Sequence, residues 1–131
     1  MGATKKAKRV ATILLIDDDA KVRQLITQLL TADGHEVQAA QDGLEGLRLF
    51  HAQLPDLVIT DILMPEKDGL EMIRELRAAG FSRPIVAISE TTSSSGKLFL
   101  AIAKMIGADA GVTKPPYGVD LVAVVNVLLG P

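Results

Sequence analysis

The stretch Pro55-Asp56-Leu57-Val58-Ile59-Thr60-Asp61-Ile62-Leu63-Met64-Pro65-Glu66-Lys67-Asp68-Gly69 decides the fold. Leu57, Val58 and Ile59 form a short apolar run with two β-branched members, bracketed by prolines, as a buried strand requires. The run ends on a single acid, Asp61, followed by a loop marked by Pro65 and Gly69. A carboxylate at the exit of a buried strand stands where α/β folds place ligands and chemistry.

Working outward, the same grammar repeats. Val10 to Ile16 is an apolar run ending at Asp17-Asp18-Asp19 and predicts strand one. Val22, Leu25, Ile26, Leu29 and Leu30 follow at helical spacing and stop at Asp33-Gly34, giving helix one. His35 to Ala39 alternates as a short strand two, and Leu44, Leu47 and Phe50 mark helix two, closed by Pro55. Beyond strand three, Leu70, Ile73 and Leu76 give helix three, ending near Gly80. Pro84 to Ile88 is strand four. The polar loop Thr91-Thr92-Ser93-Ser94-Ser95-Gly96 leads into helix four, about Lys97 to Ile106. Ala110 to Thr113 is a weak strand five, Pro115-Pro116 breaks the chain, and Gly118 to Leu129 is helix five.

Five strand–helix units in succession imply one doubly wound α/β domain, a parallel sheet covered by helices on both faces. Right-handed crossovers leave few topologies, and the flavodoxin-like order 2-1-3-4-5 leads among them. The domain is expected over residues 10–131, preceded by a basic disordered tail over 1–9.

Composition narrows the function classes. The chain has 131 residues, 48% hydrophobic and 23% charged, the balance of an ordinary globular domain. No run of roughly 18 apolar residues is present, so no membrane span is expected. The absence of cysteine excludes disulfides, thiol catalysis and cysteine-based zinc sites, and is compatible with the cytoplasm. Net charge is −2; Lys5, Lys6, Lys8 and Arg9 contribute +4, which leaves −6 on the remainder. An acidic body argues against direct nucleic-acid binding.

In the order 2-1-3-4-5 the strand ends converge as chemistry. Strand one ends on Asp17 and Asp18, its neighbour strand three on Asp61, and strand four on Ser89. Strand five ends on Lys114, two strands and roughly 10 Å from Asp61, a gap that a lysine can largely cover. Three carboxylates in one crevice persist only around a shared cation, and hard oxygen donors suit Mg²⁺. Three acids, one divalent cation and one lysine sum to zero charge, ready for a phosphoryl group. A carboxylate can itself be the nucleophile, with Ser89 and Lys114 meeting the new phosphoryl oxygens.

At this point the chain resembles the receiver domain of two-component response regulators, the CheY-like family, over essentially residues 10–130. The residues that carry the resemblance are Leu14-Leu15-Ile16-Asp17-Asp18-Asp19, Pro55 to Pro65 with Asp68-Gly69, Pro84-Ile85-Val86-Ala87-Ile88-Ser89, and Gly107-Ala108-Asp109 followed by Val112-Thr113-Lys114-Pro115. The resemblance implies that Asp61 is the phosphoacceptor and that Asp18 and Asp61 are direct Mg²⁺ ligands, joined by the backbone carbonyl of Leu63. It implies that Asp17 acts on the metal through water, that Ser89 is the switch hydroxyl, and that Lys114 pairs with the phosphoryl group. It also implies a cis Lys114-Pro115 bond, and a sensor histidine kinase or histidine phosphotransfer protein as donor.

Three positions depart from the family pattern. Glu90 follows the switch hydroxyl where the family has a small residue, and is expected to slow phosphorylation or make the acyl phosphate labile. Gly111 stands where the family has a switch Tyr or Phe; the only tyrosine, Tyr117, lies beyond Pro116. The segment from Ser89 to Gly107 is a few residues longer than the pattern, with the Thr/Ser tract as the place of the extra length. Output is therefore expected through the loop between strand four and helix four.

Helix five carries only Asp120 and Asn126 as polar residues from Val119 to Leu129, and helix four is similarly apolar. The face made by helix four, strand five and helix five is expected to bind a downstream protein or a second copy, through Leu98, Phe99, Ile102, Val122, Val125 and Leu129. His35 and His51 read as surface or edge residues. Ser95-Gly96-Lys97 lacks the remaining elements of a nucleotide loop. Two rival functions stay open. A Mg²⁺-dependent phosphatase with an Asp nucleophile would want a second acid two residues on, where Leu63 stands. A degenerate receiver would bind partners without phosphorylation.

Overall fold

The computed structural model describes residues 10–64, 67–89, 94–114 and 120–131. Strands and helices alternate: β1 (Thr12–Ile16), α1 (Ala20–Ala32), β2 (Glu36–Ala40), α2 (Gly43–Ala52), β3 (Leu57–Asp61), α3 (Gly69–Ala78), β4 (Ile85–Ser89), α4 (Ser94–Ile106), β5 (Ala110–Thr113) and α5 (Leu121–Leu129). The five strands form one parallel sheet in the order β2-β1-β3-β4-β5. This is the flavodoxin-like, CheY-type arrangement that the alternation of apolar runs and helical spacings predicts.

Every residue of β3 and β4 is buried, because helices cover both faces of the sheet. Alternate strand residues feed two cores. Ile13, Leu15, Leu57, Ile59, Val86 and Ile88 pack with Ile26 and Leu30 of α1 and Leu121, Val125 and Leu129 of α5. Leu14, Ile16, Val58, Ile85 and Ala87 face Phe50 of α2, Met72, Ile73 and Leu76 of α3, and Ala103 of α4. Four helices begin on an aspartate N-cap: Asp19, Asp42, Asp68 and Asp120 accept from first-turn amides of α1, α2, α3 and α5. Each cap contributes about 1 kcal/mol. In strand–helix units these caps and the strand exits share one end of the sheet, so backbone capping and site chemistry draw on neighbouring acids.

Two expectations are corrected here. Val125 and Leu129 belong to the core, at 0% and 6% exposure, not to a partner face. Leu121, Val125 and Leu129 recur every four residues and form the one stripe that a sheet-covering helix turns inward. His35 is buried as well, at 3% exposure. Its Nδ1 accepts from the Ala11 amide at 3.1 Å, so its proton sits on Nε2, which faces Asn126 Oδ1 at 3.0 Å. Asn126 Nδ2 in turn donates to Asp33 Oδ2 at 2.8 Å. This network explains the one amide in the middle of an otherwise apolar α5: it anchors the helix where β1 and β2 begin. His51 is exposed, as expected. Among the described residues, no helix is long and apolar enough to cross a membrane.

Candidate functional site

The register of the sheet sets the site. Ile16 of β1 pairs with Thr60, Asp61 of β3 with Ile88, and Ser89 of β4 with Thr113. The residues just past these pairs therefore emerge at one end, with Asp17 and Asp61 on adjacent strands. Asp17 extends the ladder by one step, its amide donating to Ala40 O at 3.1 Å. Lys114 is tied to the end of β4 by its amide, 2.7 Å from Ser89 O. Asp17, Asp61, Ser89 and Lys114 are all buried, while Asp18 is exposed at the rim.

The lysine reaches across the sheet as expected. Its Nζ lies 2.7 Å from Asp17 Oδ2 and 3.0 Å from Asp61 Oδ2. Asp17 Oδ1 accepts the Asp19 amide at 2.8 Å. Asp17 Oδ2 is buried, and the Lys114 ammonium is its close partner. Asp17, Asp18 and Asp61 each offer a carboxylate oxygen, all within 4.8 Å of one another. Three oxygen-only donors converging on one point, more acid charge than the single lysine balances, fit a hard divalent cation such as Mg²⁺.

Electrostatics agree with that fit. Burial, and then the charge of Asp17, push the Asp61 carboxyl up to about 7; Lys114 opposes them, and a hydrogen bond with Asp18 adds to them. Burial likewise raises Asp17, against the pull of Lys114. For Lys114, burial pulls the ammonium down, but its hydrogen bond to Asp17 and the charges of Asp61 and Asp17 outweigh it, and the net shift is upward. Without a cation, two buried acids compete for one lysine and Asp61 holds a proton well above the ordinary carboxylate range.

The backbone around Asp61 is held tightly. Thr60 Oγ1 donates to the Asp61 carbonyl at 3.0 Å, and the Gly69 amide donates to Ile62 O at 2.7 Å. A Cβ on Gly69 would fall on the Asp61 carbonyl oxygen, so only glycine lets α3 start so close to Asp61. Leu63, the expected backbone ligand, has its side chain in solvent. Sequence reasoning missed Thr60, the close approach of Gly69, and Arg23, whose Nη1 donates to Asp17 O at 2.8 Å. The one signal for Arg23 was its place in the first turn of helix one.

At Gly111, the departure from the family pattern has a structural counterpart. A Cβ there would lie 3.1 Å from Leu100 Cβ and 3.4 Å from Leu100 O, so α4 packs directly over β5. Glu90, the Thr91-Thr92-Ser93 loop, Pro115 with its expected cis bond, Tyr117 and the basic tail lie outside the described residues.

Fold and site together define a flavodoxin-like domain with an acid cluster and an opposing lysine at its topological switch point. The family model of the response regulator receiver domain matches residues 13–126, and the chain belongs to that family, the receiver domain of two-component signalling. The response regulator MprA of Mycobacterium sp. (strain KMS) is 38% identical over 117 residues, which cover 89% of this chain and 50% of that protein. The chain thus spans about half the length of the curated relatives it matches. The receiver domain of the Francisella response regulator 1452 superposes with a TM-score of 0.79 at 29% identity, covering 91% of this chain and 96% of that one. The BeF3-activated N-terminal receiver domain of Klebsiella pneumoniae RstA superposes with a TM-score of 0.81 at 27% identity, covering 92% and 99%.

Proposed function

We propose that this receiver accepts a phosphoryl group onto Asp61 from a phosphohistidine on a sensor histidine kinase or histidine phosphotransfer protein. The observation that carries the reading is the convergence of Asp17, Asp18 and Asp61 with Lys114 Nζ between two of them. A carboxylate oxygen of Asp61 attacks phosphorus; the phosphorus–nitrogen bond breaks as the acyl phosphate forms, and the imidazole nitrogen keeps the bonding pair and takes up a proton. Asp18, Asp61 and the Leu63 carbonyl would hold Mg²⁺, with Asp17 acting through water. When bound, Mg²⁺ supplies positive charge that brings Asp61 to its anion and offsets phosphoryl charge. Lys114 moves its ion pair from Asp61 to a phosphoryl oxygen, and the Ser89 hydroxyl meets another.

Output leaves through the face formed by α4, β5 and α5, toward a downstream protein or a second copy. Leu98, Met105 and Val127 are exposed there, Phe99, Ile102 and Val122 are half-buried, and an apolar groove of about 310 Å³ runs along Ala110, Ala123, Val124, Val127 and Leu128. The acidic body fits a protein partner better than nucleic acid, and a cytoplasmic location fits the donor. A degenerate receiver that binds partners without phosphorylation is the second reading, kept open by Glu90 after the switch hydroxyl and by Gly111 in place of an aromatic.

Incubation with Mg²⁺ and a small acyl phosphate, followed by intact mass, tests the proposal. The expected result is one labile phosphoryl adduct on wild type and none on Asp61→Asn. No adduct with any donor favours the degenerate reading, and turnover of unrelated phosphate esters favours a phosphatase.

A further inference from the structure

The peptide between Asp17 and Asp18 joins the two acids of β1's exit, and its oxygen is the Asp17 carbonyl. Arg23, one turn into α1, donates from Nη1 to that oxygen at 2.8 Å. The Arg23 amide is itself fixed to Asp19 O at 2.9 Å, and Asp19 caps Lys21 and Val22. The Asp17 amide on the preceding peptide is held by Ala40 O. Arg23 thus pins one plane whose other end is the Cα of Asp18, the exposed acid of the cluster. Asp18 lacks the packing that holds Asp17 and Asp61, so its approach to a cation depends on the orientation of this peptide.

Two effects of a guanidinium at this place have opposite signs. As a bare charge near three carboxylates, it would repel a divalent cation. As a clamp on the Asp17–Asp18 peptide, it would pre-orient a ligand and favour the same cation, as partners behind first ligands do at metal sites. The geometry shows the clamp: Nη1 is spent on the Asp17 carbonyl, and the turn that carries Arg23 is itself fixed to Asp19. The two effects predict opposite changes in cation affinity when Arg23 is removed.

We propose that Arg23 is a positioning residue of the cation site, setting divalent-cation affinity by fixing the peptide that carries Asp18; this rests on the Mg²⁺ site assigned above. The experiment is a Mg²⁺ titration followed by amide chemical shifts at Asp18 and Asp61, on wild type, Arg23→Ala, Arg23→Lys and Lys21→Ala, with metal-free melting curves run in parallel. Lys21 is exposed on the same turn and serves as the charge control. Arg23→Ala should bind Mg²⁺ about tenfold more weakly, within the range found when a partner behind a metal ligand is removed. Arg23→Lys, which keeps a charged donor, should recover part of that loss, and Lys21→Ala should match or slightly exceed wild type. Unchanged or tighter binding by Arg23→Ala, while wild type saturates, overturns the role of Arg23 and leaves the site standing. If wild type itself shows no saturable shift, the Mg²⁺ assignment falls and the role of Arg23 falls with it.

Discussion

Lys114 Nζ lies nearer to Asp17 Oδ2, at 2.7 Å, than to Asp61 Oδ2, at 3.0 Å. The lysine is thus anchored on Asp17 and leans on Asp61, the proposed phosphoacceptor, an arrangement that would let it follow a charge added there. Removing it leaves two buried acids with no cation. Lys114→Met is expected to cost about 3 kcal/mol in urea unfolding at pH 8 without metal, the scale of a broken buried pair. Mg²⁺ should restore part of the loss.

Stability without metal should fall as pH rises. Asp61 is raised to about 7 in the fold, against an ordinary carboxylate value in the unfolded chain. A raised group binds its proton more tightly when folded, so its contribution is full below the unfolded value and is lost as pH climbs through about 7. Asp17 is shifted in the same direction. Wild type is expected to lose on the order of 2–4 kcal/mol between pH 4 and pH 8 from Asp61. Asp61→Asn should flatten most of that slope in metal-free melting curves, and stabilisation by Mg²⁺ should be larger at pH 8 than at pH 5.

The clamp on α5 is separable from the site. Asn126→Ala removes the nearer acceptor of His35 Nε2–H and one donor to Asp33, and leaves the Asp33 carboxylate, 3.4 Å from Nε2, as the remaining partner. A loss of about 1–2 kcal/mol is expected in chemical denaturation, the cost of two hydrogen bonds partly replaced by that contact. Phosphorylation by a small donor should be unaffected. A nitrogen-15 spectrum of His35 should show the proton on Nε2.

Gly111 and Leu100 should behave as one unit. Gly111→Phe drives a ring into space that Leu100 occupies and is expected to destabilise by about 1–3 kcal/mol, as overpacked cores do. Leu100→Ala opens that space at its own cost. The double variant should be more stable than the sum of the two single effects allows, read as a coupling of about 1 kcal/mol or more in a double-mutant cycle. Strict additivity would mean that α4 does not rest on β5 through this pair.

The strand order and the acid–lysine constellation were legible because period and spacing encode them. β3 reads as an apolar run because both faces are covered, and Lys114 reads as a partner of Asp61 because its reach matches two strand spacings. What was not legible depends on three-dimensional contacts that have no period. His35 looks like a surface histidine until the Ala11 amide and Asn126 close around it. Val125 and Leu129 cannot be told from the exposed Val127 until α5 is rotated onto the sheet. Arg77 leaves no trace in sequence, yet its guanidinium bonds Gly107 O, Phe81 O, Arg83 O and Asp109, stitching the end of α3 to the turn before β5.

Gly69 has a consequence for how variants of this domain are scored. It holds no cation, proton or phosphoryl group, yet a methyl there would strike the carbonyl of the residue expected to be modified. A variant survey that records only phosphorylation will therefore sort Gly69 with Asp61. Measuring folding alongside separates the two: Asp61→Asn is expected to stay folded and unmodified, whereas Gly69→Ala should lose the label because the backbone beneath it is displaced.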